Sequence, residues 1–173
     1  MTQEKKYELE VVNIRLVKEP SLYSEKKLDV PRNVVELMSG ELAQYDRELA
    51  CVLNMNTSRQ VINMSIVSIG TLNLALVSPR EVFKSSILSN AAAIILMHNH
   101  PSGSISPSRQ DKLLTQRFFE AGKLMDIELL DHVIVGGTSG EMFSFREEGY
   151  LKMENGTEQL YCAERKGRSE WER

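Results

Sequence analysis

The chain has 173 residues, 42% of them hydrophobic and 26% charged, which suits one globular domain and excludes a collagen-like, low-complexity or disulfide-scaffold protein. Its net charge of −3 withholds support from a nucleic-acid partner, although a local basic patch stays open. Cys51 lies in an apolar run and Cys162 in a polar one, so the two cysteines read as reduced; a polar N-terminus and the lack of any apolar run near the ~18 residues that span a bilayer predict a cytoplasmic protein without a membrane partner.

In chain order, residues 7–18 (YELEVVNIRLVK) predict a strand and residues 19–30 a charged connector. Pro31 opens a short amphipathic helix on Val34, Val35, Leu37, Met38 and Leu42, interrupted at Gly40. Residues 48–55 and 60–69 predict two strands of an antiparallel hairpin, with turn chemistry from Asn54 to Arg59, and residues 72–78 a third strand. Ser78-Pro79 reads as an N-cap followed by proline, with a helix from Arg80 to Ser89. Residues 91–97 (AAAIILM) run into His98 as a central strand covered on both faces. A Gly-, Pro- and Ser-rich loop over 98–106 leads to a second helix-start signal, Ser106-Pro107. Leu114, Phe118, Ala121 and Met125 then carry a helix to about Gly122. Residues 127–135 and 142–145 predict further strands, and from Glu154 the chain reads as a polar tail. The alternation of strands and helices predicts an α/β domain with a mixed sheet.

The chemistry concentrates where the central strand ends. His98 and His100 are alternate residues and point to one side, and Asp111 falls in the first turns of the next helix, three residues after Ser108. Two imidazoles and a carboxylate leave one of zinc's four positions for water, which distinguishes a catalytic site from a structural one. A lone His-x-His is a weak signal, however, and the helix dipole already favours an acid where Asp111 stands. From the residues alone, ligation and ordinary packing both stay open. Asp131-His132 opens an apolar strand, and His132 reads as a hydrogen-bonded structural residue because a fourth ligand would close the site. Asn99 and Ser102 read as loop-shaping, and Gly103 as a position of positive φ or close approach. Arg80 and Arg109 read as solvated charge.

The spacing His98-x-His100, seven residues, Ser108, two residues, Asp111 is that of the JAMM motif of JAB/MPN-domain metalloproteases. The segments PREVFK, HNHPSG, PS-x-x-D and DHVIVG, in that order, resemble the bacterial RadC family over roughly residues 30–152. The resemblance implies an MPN fold over residues 30–153, a mixed β-sheet packed between helices in a cytidine-deaminase-like layout. Residues 1–29 then form an N-terminal strand and connector, and 154–173 a polar C-terminal tail. It also implies one Zn²⁺ per chain on His98, His100 and Asp111, with Glu48 as general base and Ser108 as hydrogen-bond donor to an oxyanion. Glu81 and Glu41 are rival bases; the first turn of a helix accounts for Glu81, and Glu41 falls within or just after the first helix. Asn99 stands where many deubiquitinating members have serine or threonine, which fits the RadC branch and turns the expectation away from ubiquitin-like substrates. The N-terminal helix-hairpin-helix region of longer RadC proteins is not matched, so DNA binding that depends on it is not carried over. The expected function is therefore a zinc metallopeptidase or isopeptidase acting on an unknown peptide or protein. The alternatives are a DNA-repair-associated metal-dependent nuclease and a non-catalytic MPN interaction module.

Overall fold

The computed structural model describes residues 16–17, 21–26, 28, 31–70, 77–137, 139, 141–154 and 157–160. The expected strand over 7–18 lies almost wholly outside these residues, as do most of the expected strand over 72–78 and the end of the chain from 161.

Helix α1 (Pro31–Leu42) runs through Gly40 without the expected interruption. A mid-helix glycine costs only about 1 kcal/mol, and Val34, Met38 and Leu42, buried at four-residue intervals, hold the helix on both sides of it. Strands β1 (Leu49–Met55) and β2 (Val61–Ile69) form the expected antiparallel hairpin. Its turn is held by Asn56, whose side-chain oxygen accepts from the backbone N–H groups of Ser58 and Gln60. Helix α2 (Pro79–Leu88) starts after Ser78, as its Ser-Pro pair predicts.

Strand β3 (Ala93–His100) leads into helix α3 (Arg109–Met125), which crosses over to strand β4 (Glu128–Gly136); the short strand β5 (Met142–Ser144) follows. The sheet order is β2-β1-β3-β4-β5, and only β3 and β4 are parallel. A parallel pair needs such a crossover connection, and α3 supplies it. Strands β6 (Leu151–Glu154) and β7 (Thr157–Leu160) pair as a separate hairpin, in a region expected to be polar tail from Glu154.

Two apolar cores account for the layering. On one face Ala50, Val52, Ile94, Leu96 and Ile134 pack against Val82 and Phe83 of α2 and Leu114 and Phe118 of α3. On the other, Cys51, Leu53, Ile95, Met97 and Val133 pack against Val34, Met38 and Leu42 of α1. Strand β3 is therefore covered on both sides, which is why its sequence is apolar without alternation. Burial pushes the Cys51 thiol up to about 12, so it packs as an inert core residue. The whole arrangement is a mixed α/β fold, with a five-stranded mixed sheet and three helices among the described residues. No helix among them is long and apolar enough to cross a membrane.

Helix α3 departs from expectation at both ends. It starts at Arg109, not at Ser106-Pro107, because Ser108 and Asp111 form a reciprocal capping box. It continues past Gly122 to Met125 and ends at Asp126, whose φ of 54° is left-handed. Gly122 is required for packing: a Cβ there would overlap the carbonyl oxygen of Ile127, where the chain turns into β4. Gly122→Ala is expected to cost about 1–3 kcal/mol, read as a lowered urea midpoint with unchanged m-value.

Candidate metal centre

The last residues of β3 leave the core with their alternation intact. His98 continues the row of Ile94 and Leu96 toward α3, His100 follows on the same side, and Asn99 turns to the other. Asp111 reaches the same point from the first turn of α3, its backbone fixed by the capping box: Ser108 N–H donates to Asp111 Oδ2 at 2.7 Å, and Asp111 N–H donates to Ser108 Oγ at 3.1 Å.

The three side chains converge. His98 Nε2 and His100 Nε2 are 3.1 Å apart. Asp111 Oδ1 lies 3.4 Å from His98 Nε2, and Asp111 Oδ2 lies 3.6 Å from His100 Nε2. Their ligand atoms all fall within 4.8 Å of one another, so His98, His100 and Asp111 could hold a metal ion. His98 and Asp111 are buried, while His100 keeps partial access to solvent.

The electrostatics follow from burial and proximity. Burial, reinforced by the neighbouring His132, pushes His98 well below the usual imidazole range and keeps it neutral. His100 moves the other way: the Asp111 carboxylate 3.6 Å from its Nε2 outweighs burial, and the Ser104 carbonyl and the Glu48 charge add to the rise. Burial would raise the Asp111 carboxyl, but His100, His98 and Ser108 together hold it well below the usual carboxylate range. Asp111 is thus anionic at neutral pH and available as a ligand.

The loop after β3 fixes His100. Its Nδ1 meets the Ser104 carbonyl at 2.7 Å. Gly103 has the positive φ expected of it, 82°. The loop lies against the end of β4 so closely that a Cβ on Gly136 would come 2.7 Å from the Gly103 carbonyl oxygen.

Glu48 immediately precedes β1. Ala50 of β1 pairs with His98, so continuing that antiparallel register places Glu48 level with His100. It is half-buried, and its charge acts on His100. Asn99 orders this approach: its Oδ1 accepts from Leu49 N–H at 2.7 Å, and its Nδ2 donates to the Arg47 carbonyl at 3.0 Å. Ser108 stands at the helix start beside Asp111, as capping residue. The rivals sit elsewhere: Glu81 pairs with Lys84 at 2.8 Å on α2, and Glu41 belongs to α1.

Sequence reasoning passed over Thr115. It is buried one turn beyond Asp111, and its hydroxyl meets His132 Nδ1 at 2.7 Å. His132 is a hydrogen-bonded residue, as expected, but its partner is the candidate ligand: His132 Nε2 lies 2.8 Å from His98 Nδ1. Burial pushes His132 down to about 4. Phe145 stacks on its ring at 4.8 Å between centroids and 8° between planes. Asp131 secures that stack, taking the Arg146 N–H on Oδ1 and the Ser144 hydroxyl on Oδ2. The four-residue step from Asp111 to Thr115 was the available signal, since it puts both on one face of α3.

Residues 28–150 match the family described as RadC-like JAB domain. Among curated relatives, a UPF0758 protein of Pelodictyon phaeoclathratiforme is 48% identical over 126 residues, which are 73% of this chain and 56% of that protein. A UPF0758 protein of Methanosarcina mazei is 41% identical over 127 residues, 73% of this chain and 55% of that protein. The chain thus spans a little over half the length of these relatives.

Proposed function

The chain belongs to the RadC-like JAB domain family, and on that premise we propose that it is a zinc-dependent hydrolase of the JAMM type that cleaves peptide or isopeptide bonds. The convergence of His98 Nε2, His100 Nε2 and the Asp111 carboxylate carries this reading. Zinc bonds of about 2.0–2.2 Å at near-tetrahedral angles separate neighbouring donors by roughly 3.3–3.5 Å. The two nitrogens are 3.1 Å apart and each has one Asp111 oxygen near that range, Oδ1 at 3.4 Å from His98 Nε2 and Oδ2 at 3.6 Å from His100 Nε2; with one ligand atom from each residue the set lies within 4.8 Å. The donor chemistry agrees. The Ser104 carbonyl can only accept, so the neutral His100 ring carries its proton on Nδ1 and turns the Nε2 lone pair to the site. Two imidazole nitrogens beside a carboxylate make a donor set that suits a divalent cation.

When bound, zinc supplies Lewis acidity and lowers the pKa of a water from 15.7 to about 7. Glu48 accepts the proton of the attacking water and returns it to the leaving amine. Ser108 Oγ keeps its own hydrogen while accepting from Asp111 N–H, so it can donate to the developing oxyanion. His100, at the solvent side of the cluster, marks the direction from which substrate approaches.

Zinc stoichiometry and turnover on peptide, isopeptide-linked and DNA substrates, with and without chelator, test this reading. One zinc per chain and peptide-bond cleavage lost to chelator and restored by zinc are expected. Chelator-sensitive cleavage confined to DNA would replace it with the nuclease, and a native, zinc-free protein with the interaction module.

A further inference from the structure

We infer that Thr115 and His132 are positioning residues that lock His98 into the tautomer whose Nε2 lone pair faces the metal cluster. The inference deepens the metal reading and rests on it for its consequence, though not for its geometry.

The chain of hydrogen bonds has one consistent direction. The Thr115 hydroxyl lies 2.6 Å from the Asp111 carbonyl oxygen and 2.7 Å from His132 Nδ1. A carbonyl only accepts, so the single hydroxyl proton goes to Asp111 and the Thr115 oxygen must accept from His132. His132 then carries its proton on Nδ1 and leaves Nε2 as an acceptor. At 2.8 Å, that Nε2 takes the proton on His98 Nδ1. His98 is left with a lone pair on Nε2, the atom that faces His100 and Asp111.

The reverse direction fails at one point. If His132 donated to His98, Thr115 would have to donate to His132. The Thr115 oxygen and the Asp111 carbonyl would then face each other at 2.6 Å with no proton between them. His98 Nε2 would also be protonated and closed to an ion.

Metal-ligating histidines usually fix their other nitrogen on a carboxylate, a backbone carbonyl or a water. His100 follows that pattern through Ser104. His98 uses a second histidine, which needs Thr115 to fix its own tautomer in turn. The relay is buried throughout, with Thr115 1% exposed and His98 and His132 fully enclosed, so water does not replace a missing member. Its start at the carbonyl of Asp111 ties the orientation of one candidate ligand to the backbone of another.

The test begins with the metal-free wild-type protein. Long-range ¹⁵N–¹H correlations are expected to show both His98 and His132 protonated on Nδ1 alone. Thr115→Val keeps the shape and removes the hydroxyl; it is expected to weaken zinc about 10–100-fold in chelator competition and to release the His98 tautomer. Thr115→Ser is expected to restore both. A wild-type His98 protonated on Nε2, or a folded Thr115→Val protein with unchanged tautomer and zinc affinity, overturns the inference. A wild type with the expected tautomers that binds no zinc overturns the metal reading and leaves the relay standing. His132→Gln, with Co²⁺ absorption as readout, gives a second perturbation should Thr115→Val fail to fold.

Discussion

Asp111→Asn is expected to cost about 10²–10³-fold in zinc affinity while leaving the fold in place. Structural zinc is worth about 10–16 kcal/mol over four ligands, or roughly 2.5–4 kcal/mol for each. The amide substitution isolates that share. An Asn oxygen placed where Oδ2 stands keeps the hydrogen bond from Ser108 N–H, so α3 keeps its capping box. The amide NH₂ then occupies the Oδ1 position and faces His98 Nε2, which lies 3.4 Å from Oδ1 in the native chain. Asp111→Ala loses both, and a further ~0.5–2 kcal/mol of stability with the cap. Chelator competition and urea denaturation on the two variants separate ligand from cap.

The same variant changes the response to acid. A proton and an ion compete for His100 Nε2, and the Asp111 carboxylate beside it raises the affinity of His100 for the proton. In the native chain, zinc affinity is therefore expected to start declining at a higher pH than an unperturbed histidine ligand would allow. In Asp111→Asn the His100 titration is expected to move toward lower pH, because the carboxylate charge beside it is replaced by a neutral amide. An NMR titration of the metal-free proteins reads this directly; an unmoved His100 would show that Asp111 does not act on it.

How much of this was legible beforehand depended on the range of each interaction. The apolar run AAAIILM announced a central strand because burial on both faces removes alternation, and β3 is that strand. His98, His100 and Asp111 were legible because two of them share a strand face and the third stands at a helix start. The start of α3 was misread, since Ser106-Pro107 and Ser108-Arg109 are both plausible openings until the capping box with Asp111 decides. The relay was legible only in fragments, the shared helix face of Asp111 and Thr115 and the hydrogen-bonded reading of His132. His132 meets His98, and Phe145 meets His132, only because β4 lies parallel beside β3 and β5 folds back on β4, and no local pattern encodes that pairing. Asn99 likewise looked like a loop residue, whereas its amide reaches across to Leu49 and Arg47.

Glu48→Gln is expected to lower turnover about 10²–10⁴-fold with zinc affinity within a few-fold of the wild type. The argument is positional. The backbone around Glu48 is held at three consecutive residues: the Asn99 side chain binds the Arg47 carbonyl and the Leu49 N–H, and the Glu48 carbonyl accepts from Gly70 N–H at 3.1 Å. The register puts this fixed backbone level with His100, and the Glu48 charge acts on that ring. Glutamine preserves its size and most of its hydrogen bonding but cannot take a proton, so it separates proton transfer from placement. The pH–rate profile should lose its acid limb along with the turnover, which a purely structural defect would not do. Asn99→Ala should do the converse, lowering turnover by loosening Glu48 while leaving the acid limb in place. Full turnover in Glu48→Gln with zinc bound would remove Glu48 from the reaction. Glu81 would not inherit the role, because Lys84 and Arg80 already engage its carboxylate on α2.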